Sequence, residues 1–328
     1  MLTRRKTLHL AAAGLALPAI SSMSLAQNYP VRPITMIVPF AAGGATDALA
    51  RIMAERLRTS LGQTVIVENV GGAAGSIGVG RVVRAQGDGY TIGIGQWGSH
   101  VANGATYSLQ YDLLRDLSPI AMIATTPTLI NTRNTFPART LLELIAWLKA
   151  NPDKATQGSG GAGSAAHVQG LFFQQRTGTR FQHVPYRGGG PALQDLVAGQ
   201  IDLMIDQAAN GISQVRSGKI RTLAVAAKTR MRSDPEIPTA DEAGMPGLYM
   251  SVWHGLWAPS ATPPSVISRL NIALVEALTD PTVQGRFADL VQDMPPRSEQ
   301  TPEFLGAFQK AEIEKWWPII KAANIKGE

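Results

Sequence analysis

Short apolar runs alternate with amphipathic segments of helical length along most of this chain. The apolar runs are rich in Val, Ile, Leu and Thr, and they predict strands at residues 34–38, 64–67, 91–94, 128–130, 181–184, 203–205 and 221–225. Segments with the helical apolar period predict helices at 46–60, 141–150, 165–176, 191–198, 264–278 and 301–316. Strands that alternate with helices are typical of α/β folds with largely parallel sheets.

Two further extended segments, residues 117–123 and 251–259, indicate places where the chain passes between two domains. The first segment runs straight on to the next predicted strand, and only helices follow the second. At roughly 150 residues per domain, a chain of this length is expected to form two domains. We therefore predict a discontinuous first lobe, residues 27–123 and 257–328, and a second lobe, residues 124–256.

The first 26 residues have the composition of an export signal. Basic residues 4–6 precede an apolar stretch at 8–20, and the small residues at 24–26 form a cleavage site. The apolar stretch is shorter than the roughly 20 residues that a membrane-spanning helix needs. We predict a periplasmic protein whose mature chain begins at Gln27, and the basic residues also leave a twin-arginine route open.

Composition removes several classes of function. The chain has no Cys and only five His, which excludes disulfides, thiol catalysis and thiolate metal sites and leaves little for a metal centre. Three of the 30 basic residues and none of the 24 acidic residues lie in the signal, so cleavage lowers the net charge from +6 to +3. The remaining basic residues form no cluster, and we expect no nucleic-acid partner.

Glycines cluster in four loops that each follow a predicted strand and open a helix, at residues 39–47, 71–76, 158–164 and 186–190. In open α/β sheets, ligands bind outside the carboxyl ends of the strands. Helix N-termini at that edge present free N–H groups and a partial positive charge, and glycine lets a ligand approach them closely. The loops therefore predict an anion site, although glycines that only make tight turns would give the same pattern.

Several polar side chains stand near the same strand ends. Asp47 is interpreted either as a helix-start residue or as a group that meets an amine or hydroxyl of the ligand. Trp253 either lines the cleft or packs in the core. Five other side chains could reach ligand oxygens or share the sheet edge, and each also has a purely structural interpretation. They are Ser99, His100, Ser164, His167 and Asp206.

Two motifs suggest enzymes but lack their context. The glycines at 158, 160 and 163 match the dinucleotide fingerprint, but residues 181–185 do not supply the acidic residue that this fingerprint needs. We therefore predict no cofactor. Residues 74–78 approximate the nucleophile turn of hydrolases around Ser76, with Ala in the first position. A serine hydrolase that uses Ser76 or Ser164 with a histidine remains the enzymatic alternative.

Beyond these motifs, four stretches resemble one family. The stretches are residues 39–47 with Ala50 and Arg51, residues 67–75, residues 158–167, and residues 184–188 with the nearby positions 191–192 and 195–196. They resemble the Bug-type extracytoplasmic solute receptors. These are the periplasmic binding proteins of tripartite tricarboxylate transporters. The resemblance runs in order through the mature chain. It departs at Ala42, where a familiar form of the loop has a proline that fixes the backbone.

The resemblance implies a two-lobed, flytrap-like α/β receptor with no enzymatic activity, and the composition and motifs predict no metal and no cofactor. It implies that a small organic carboxylate is held by backbone N–H groups and ordered water from both lobes and is delivered to membrane permease subunits. We expect the receptor to be a monomer. A receptor that presents its ligand to a sensor protein is a further alternative. The predicted ligand-binding residues are Ala42, Gly43, Gly44, Ala45, Thr46, Asp47, Ser99, His100, Gly160, Ala162, Gly163, Ser164, His167, Arg187, Gly188, Gly189 and Asp206.

Overall fold

The computed structural model describes residues 29–322 and 325–326, and strands and helices alternate through most of them. The strands are β1 Ile34–Val38, β2 Val65–Asn69, β3 Thr91–Gln96, β4 Leu117–Arg133, β5 Thr156–Ser159, β6 Gln182–Pro185, β7 Leu203–Gln207, β8 Ile220–Val225 and β9 Ser251–Pro259. The helices are α1 Ala45–Leu61, α2 Ser76–Val83, α3 Asn103–Thr106, α4 Leu141–Ala150, α5 Ala165–Thr177, α6 Gly189–Ala198, α7 Ala208–Arg216, α8 Pro264–Thr279, α9 Pro281–Asp289 and α10 Pro302–Ala322.

Every predicted strand and helix is present, and the α/β class is confirmed. The apolar runs and helical segments predicted above do not include β5, α2, α3, α7 and α9, although the glycine loops implied a strand before residues 158–164 and a helix after residues 71–76. Strand β5 reads Thr-Gln-Gly-Ser, which has no apolar side chain to mark it. Helix α2 is only eight residues long and carries glycines at 78 and 80, which weaken a helical pattern.

The expectation of largely parallel sheets is wrong at the centre of the molecule. Strand β1 runs parallel to β2 and β3, and β5 runs parallel to β6 and β7. Strand β9 is antiparallel to β3 and β4, and β4 is antiparallel to β7 and β8. The reason is that β4 and β9 carry the chain between the two halves in opposite directions, so they pair antiparallel.

Strands β4 and β9 divide the fold into two lobes. Residues 117–127 of β4 pair with β9, whereas residues 128–133 pair with β7 and β8. The β4–β9 ladder has two register irregularities, between Pro119 and Ala121 and between Met122 and Ala124. We call the part built on β1, β2, β3, β9 and residues 117–127 the first lobe, and the part built on β5–β8 and residues 128–133 the second lobe. The predicted boundaries after residues 123 and 256 fall inside these two strands and remain a proposal.

Each lobe has its own apolar core. Helix α1 buries residues at helical spacing, including Leu49, Met53 and Leu57, against β1. Residues of α8 and α9, such as Phe287, complete this core, so the C-terminal helices return to the first lobe. The second lobe has a separate core that includes Phe173. The loops at the strand ends connect elements that pack in these cores.

The predicted signal, residues 1–26, lies outside the described residues. Within residues 29–322, no helix is both long enough and apolar enough to span a membrane.

Candidate functional site

The four glycine loops meet where the two lobes face each other. The backbone N–H of Ala41 in the β1–α1 loop donates to the carbonyl oxygen of Arg187 in the β6–α6 loop, at 3.0 Å. A Cβ atom on Gly190 would lie 2.9 Å from the carbonyl carbon of Gly43, so a side chain there would push the lobes apart. A residue without a side chain is therefore required where the loops touch. The close contact between the lobes, and not only the formation of a tight turn, accounts for this glycine.

A small cavity lies between these loops and the ends of β3 and β7. The first lobe lines it with Phe40, Gly44, Ala45, Thr46, Asp47 and Gln96, and the second lobe with Gly160, Ser164, Ala166, Gly189, Asp206, Gln207 and Asn210. The space open to the centre of a water-sized sphere is about 20 Å³, and about 10–15 Å³ is needed to hold one water molecule. A four-carbon carboxylate is much larger, so its entry requires the lobes to separate.

Three helix N-termini converge on this cavity. Helices α1, α5 and α6 begin at Ala45, Ala165 and Gly189, and each contributes a first-turn residue to the lining. The first N–H groups of a helix have no partner inside the helix, and the helix dipole gives that end a partial positive charge. The N-cap residues of α1 and α6 are glycines without a capping side chain. Within the described part of the chain, no lysine or arginine lines the cavity, so the positive potential comes from the backbone.

Asp47 is oriented towards its own loop. Its carboxylate accepts hydrogen bonds from the N–H of Gly43 at 3.0 Å and from Nδ2 of Asn69 at 3.0 Å, and it pairs with Arg51 at 2.9 Å. Burial would raise the pKa of Asp47, but hydrogen bonds from Arg51, Gly43 and Asn69 outweigh it and hold the pKa below its usual value. Asp47 lies in the first turn of α1, whose N-cap is Gly44. Asp47 therefore stabilises the β1–α1 loop as an ionised carboxylate whose negative charge is balanced by Arg51.

Asp206 has a different environment at the end of β7. It is buried, with Oδ1 accepting from the N–H of Gln207 at 2.8 Å and Oδ2 accepting from Nδ2 of Asn210. Oδ1 of Asn210 in turn accepts from the N–H of Ala45 across the cleft, at 2.6 Å. Among residues 29–322, no basic side chain forms an ion pair with Asp206. Burial raises the pKa of Asp206 to about 6, against the opposing hydrogen bonds from Asn210 and Gln207.

Three other predicted side chains lie away from the cavity. Ser99 and His100 belong to a π-helical turn, Gly98–Ala102, that is buried beneath the cleft. The His100 ring stacks on Trp257 with centroids 3.7 Å apart, and burial lowers its pKa to about 3. His167 accepts from the N–H of Gly163 at 2.8 Å, and its ring stacks on a neighbouring histidine. These side chains therefore contact other protein groups around the loops and do not line the cavity. Trp253 also packs among aromatic rings in the first-lobe core.

The predicted residues therefore divide into two groups. Those that line the cavity are Gly44, Ala45, Thr46, Asp47, Gly160, Ser164, Gly189 and Asp206. Those that do not line it are Ala42, Gly43, Ser99, His100, Ala162, Gly163, His167, Arg187 and Gly188. Of the second group, Ala162 and Arg187 line a wider groove of about 580 Å³ at the same junction of loops. A direct role for any of these residues in ligand binding remains a proposal.

Sequence reasoning missed five lining residues, which are Phe40, Gln96, Ala166, Gln207 and Asn210. Gln96 and Gln207 are the last residues of β3 and β7, so their position directly after an apolar run was a usable signal. Both are buried, and the Oε1 atom of each has no hydrogen-bond partner among the described residues. Asn210 lies inside α7, and only the folded arrangement brings it to the cleft.

The contacts do not support a serine hydrolase. Within residues 29–322, no histidine ring forms a hydrogen bond with Ser76 or Ser164, and Ser164 Oγ instead accepts from the backbone N–H of His167 at 3.4 Å. Ser159 does contact the ring of His183, at 2.5 Å, but Ser159 is fully buried, so a substrate has no access to its hydroxyl in this arrangement. The described residues also contain no group of three acidic or histidine side chains that could hold a metal ion.

Comparison with known proteins agrees with this geometry. The family model described as "Tripartite tricarboxylate transporter family receptor" matches residues 49–325. Protein BugT of Bordetella pertussis is 36% identical over 319 residues, which cover 97% of this chain and 95% of BugT. The structure of the periplasmic binding protein BugD has a TM-score of 0.88 at 38% identity and covers 92% of this chain and 100% of its own. MatC from Rhodopseudomonas palustris with bound malate has a TM-score of 0.86 at 35% identity, over 89% of this chain and 100% of its own.

These findings confirm the resemblance to Bug-type receptors and the two-lobed fold of periplasmic binding proteins. The matched proteins are solute-binding receptors, so the expectation that the chain is not an enzyme is also confirmed.

Proposed function

Because the chain belongs to the tripartite tricarboxylate transporter receptor family, we propose that it captures a small organic carboxylate in the cavity between its lobes and delivers it to the permease of such a transporter. The family is periplasmic. Basic residues 4–6 and the apolar stretch 8–20 support export through a signal that is cleaved before Gln27. The twin-arginine route and a monomeric state are further parts of the proposal. Light scattering on the purified mature chain tests the monomer.

The observation that carries the proposal is the convergence of three helix N-termini on a cavity without a basic side chain. Each hydrogen bond from an N–H group to a carboxylate contributes about 1.5–3 kcal/mol, so several of them could hold the anion without an arginine. The malate bound to MatC supports an organic acid as the ligand, because that protein shares the fold at 35% identity.

Binding is coupled to closure of the lobes in this proposal. The loops already contact each other through the Ala41–Arg187 and Ala45–Asn210 hydrogen bonds, and the cavity is small in this arrangement. A ligand enters when the lobes rotate apart at β4 and β9. It then stabilises the closed form, because its carboxylate accepts hydrogen bonds from both lobes at once.

The binding step is tested by calorimetric titration of refolded, ligand-free protein with mono-, di- and tricarboxylates. Saturable binding of at least one carboxylate is expected, and failure of every acid in the panel would refute the assignment. Delivery is tested separately by measuring uptake of the bound acid in cells with and without the permease. Uptake that persists without the permease would favour the alternative in which the receptor serves a sensor protein.

A further inference from the structure

Three polar side chains at two strand ends line the cavity between the lobes. The ends of β3 and β7 place Gln96, Asp206 and Gln207 around it. Gln96 and Gln207 are 6% and 3% exposed, and the Oε1 atom of each has no partner in the described part of the chain. A buried acceptor without a partner costs free energy. Because each glutamine also carries an Nε2 donor, Asp206 is the one of these three side chains that only accepts hydrogen bonds when ionised.

Asp206 is the strongest acceptor among these side chains. An ionised carboxylate has about four acceptor sites, and Asp206 uses two of them, for Gln207 and Asn210. Asp47 lines the same cavity, but its oxygens accept from Arg51, Asn69 and Gly43. Asp206 thus keeps acceptor capacity that Asp47 lacks, and none of the described basic side chains forms an ion pair with it.

Asn210 fixes the direction of this carboxylate. Its Nδ2 donates to Asp206, and its Oδ1 accepts from the N–H of Ala45 on the first lobe. The amide is therefore held at both ends, and it links Asp206 to the N-terminus of α1. Asn210 acts as a positioning residue that keeps Asp206 beside the proposed carboxylate site when the lobes are closed.

From these contacts, and resting on the proposed receptor function, we propose that Asp206 selects carboxylates that carry a hydrogen-bond donor, a hydroxyl or an ammonium group, on the carbon chain. Such a ligand places its carboxylate at the helix N-termini and its donor at Asp206. An unsubstituted acid leaves the buried Asp206 carboxylate without that partner, and a site built to hydrogen-bond a polar group discriminates strongly against analogues that lack it. The raised pKa of Asp206 agrees with a carboxylate that lacks a compensating cation.

The test uses acids that differ only in the donor. One matched set is succinate, malate and aspartate. A second matched set is glutarate, 2-hydroxyglutarate and glutamate, and adipate represents longer plain acids. Calorimetry on the refolded mature chain should show at least one substituted acid binding about tenfold or more tightly than its plain counterpart. Asp206→Asn should reduce that ratio to within about threefold, with a larger loss for an ammonium ligand than for a hydroxyl ligand.

Asp202→Asn is the matched control, because Asp202 lies just before β7 and pairs with Arg133 away from the cavity. This variant should keep the wild-type ratio, and thermal melting checks that both variants fold. Three outcomes would overturn the selective role of Asp206 and leave the receptor function standing. They are equal affinity for plain and substituted acids, binding of plain acids alone, and an equal loss of affinity for all ligands in Asp206→Asn. Failure of every acid to bind would instead remove the receptor function.

Discussion

Gly44→Val tests whether ligand recognition depends on bare backbone. Gly44 is the N-cap of α1, with φ −91° and ψ 172°, an extended conformation that valine also adopts. A Cβ at this position would lie 3.5 Å from Oδ1 of Asn210 and 3.5 Å from the backbone N of Gly190. These are ordinary contact distances, so an alanine would fit. The methyl groups of valine reach about 1.5 Å further and would enter a cavity of about 20 Å³.

The magnitude follows from the N–H groups that valine would cover. If it keeps a carboxylate from two of them, the loss is about 3–6 kcal/mol at about 1.5–3 kcal/mol for each hydrogen bond. This corresponds to an increase in Kd of at least about 100-fold. Calorimetric titration with the tightest carboxylate of the panel measures it. Gly44→Ala should weaken binding much less than Gly44→Val.

Gly285→Val is the matched control, because a Cβ there has no atom within 4 Å and the residue lies in α9, away from the cavity. It should bind with the wild-type Kd. The melting temperature of Gly44→Val should stay close to that of the wild type, since the lobes can relax by separating. A wild-type Kd for Gly44→Val would refute the idea that a carboxylate approaches the backbone at this loop.

Three further predictions concern the fold and the loop. Burial lowers the pKa of His100 and His254 to about 3, so both rings are neutral in the folded protein at pH 7. Their contribution to the free energy of unfolding is full above pH 6.5 and is lost as the pH falls towards 3. Denaturant titrations across this pH range would measure the loss. His100→Gln should reduce that slope, and an unchanged slope would contradict the assignment. Phe287→Ala, in the first-lobe core, should cost about 3–5 kcal/mol of unfolding free energy without changing Kd. Arg51→Met removes the cation beside Asp47, so the Asp47 pKa measured by NMR should rise and Kd should increase; an unchanged Asp47 pKa would show that Arg51 does not set the charge of this loop.

The strand-to-helix loops could be located from the sequence because two local signals coincide there. An apolar run ends, a glycine cluster follows, and an amphipathic helix begins, as at residues 39–47. Parallel strands direct such loops to one sheet edge, so their convergence follows from the fold class. The sequence pattern therefore predicted the loop backbone of the site, including Gly44 and Gly189, more successfully than its side chains.

The side chains were harder because their direction depends on tertiary packing. His100 follows β3 as closely as the loop residues follow their strands, but a π-helical turn directs its ring into the core against Trp257. Asn210 is separated from the strand-end pattern and reaches the cleft only because α7 packs beside the β1–α1 loop. No local pattern encodes either orientation.

The link between the lobes limits the movements that are open to the proposed receptor. Strand β4 continues without a break from one lobe to the other, and its ladder with β9 loses regular register near Pro119 and Met122. Bulges interrupt the hydrogen bonding of a ladder locally and let a strand bend and twist. If the lobes open as proposed, we expect the change to bend these two paired strands, because residues 117–133 and 251–259 are extended throughout and contain no loop.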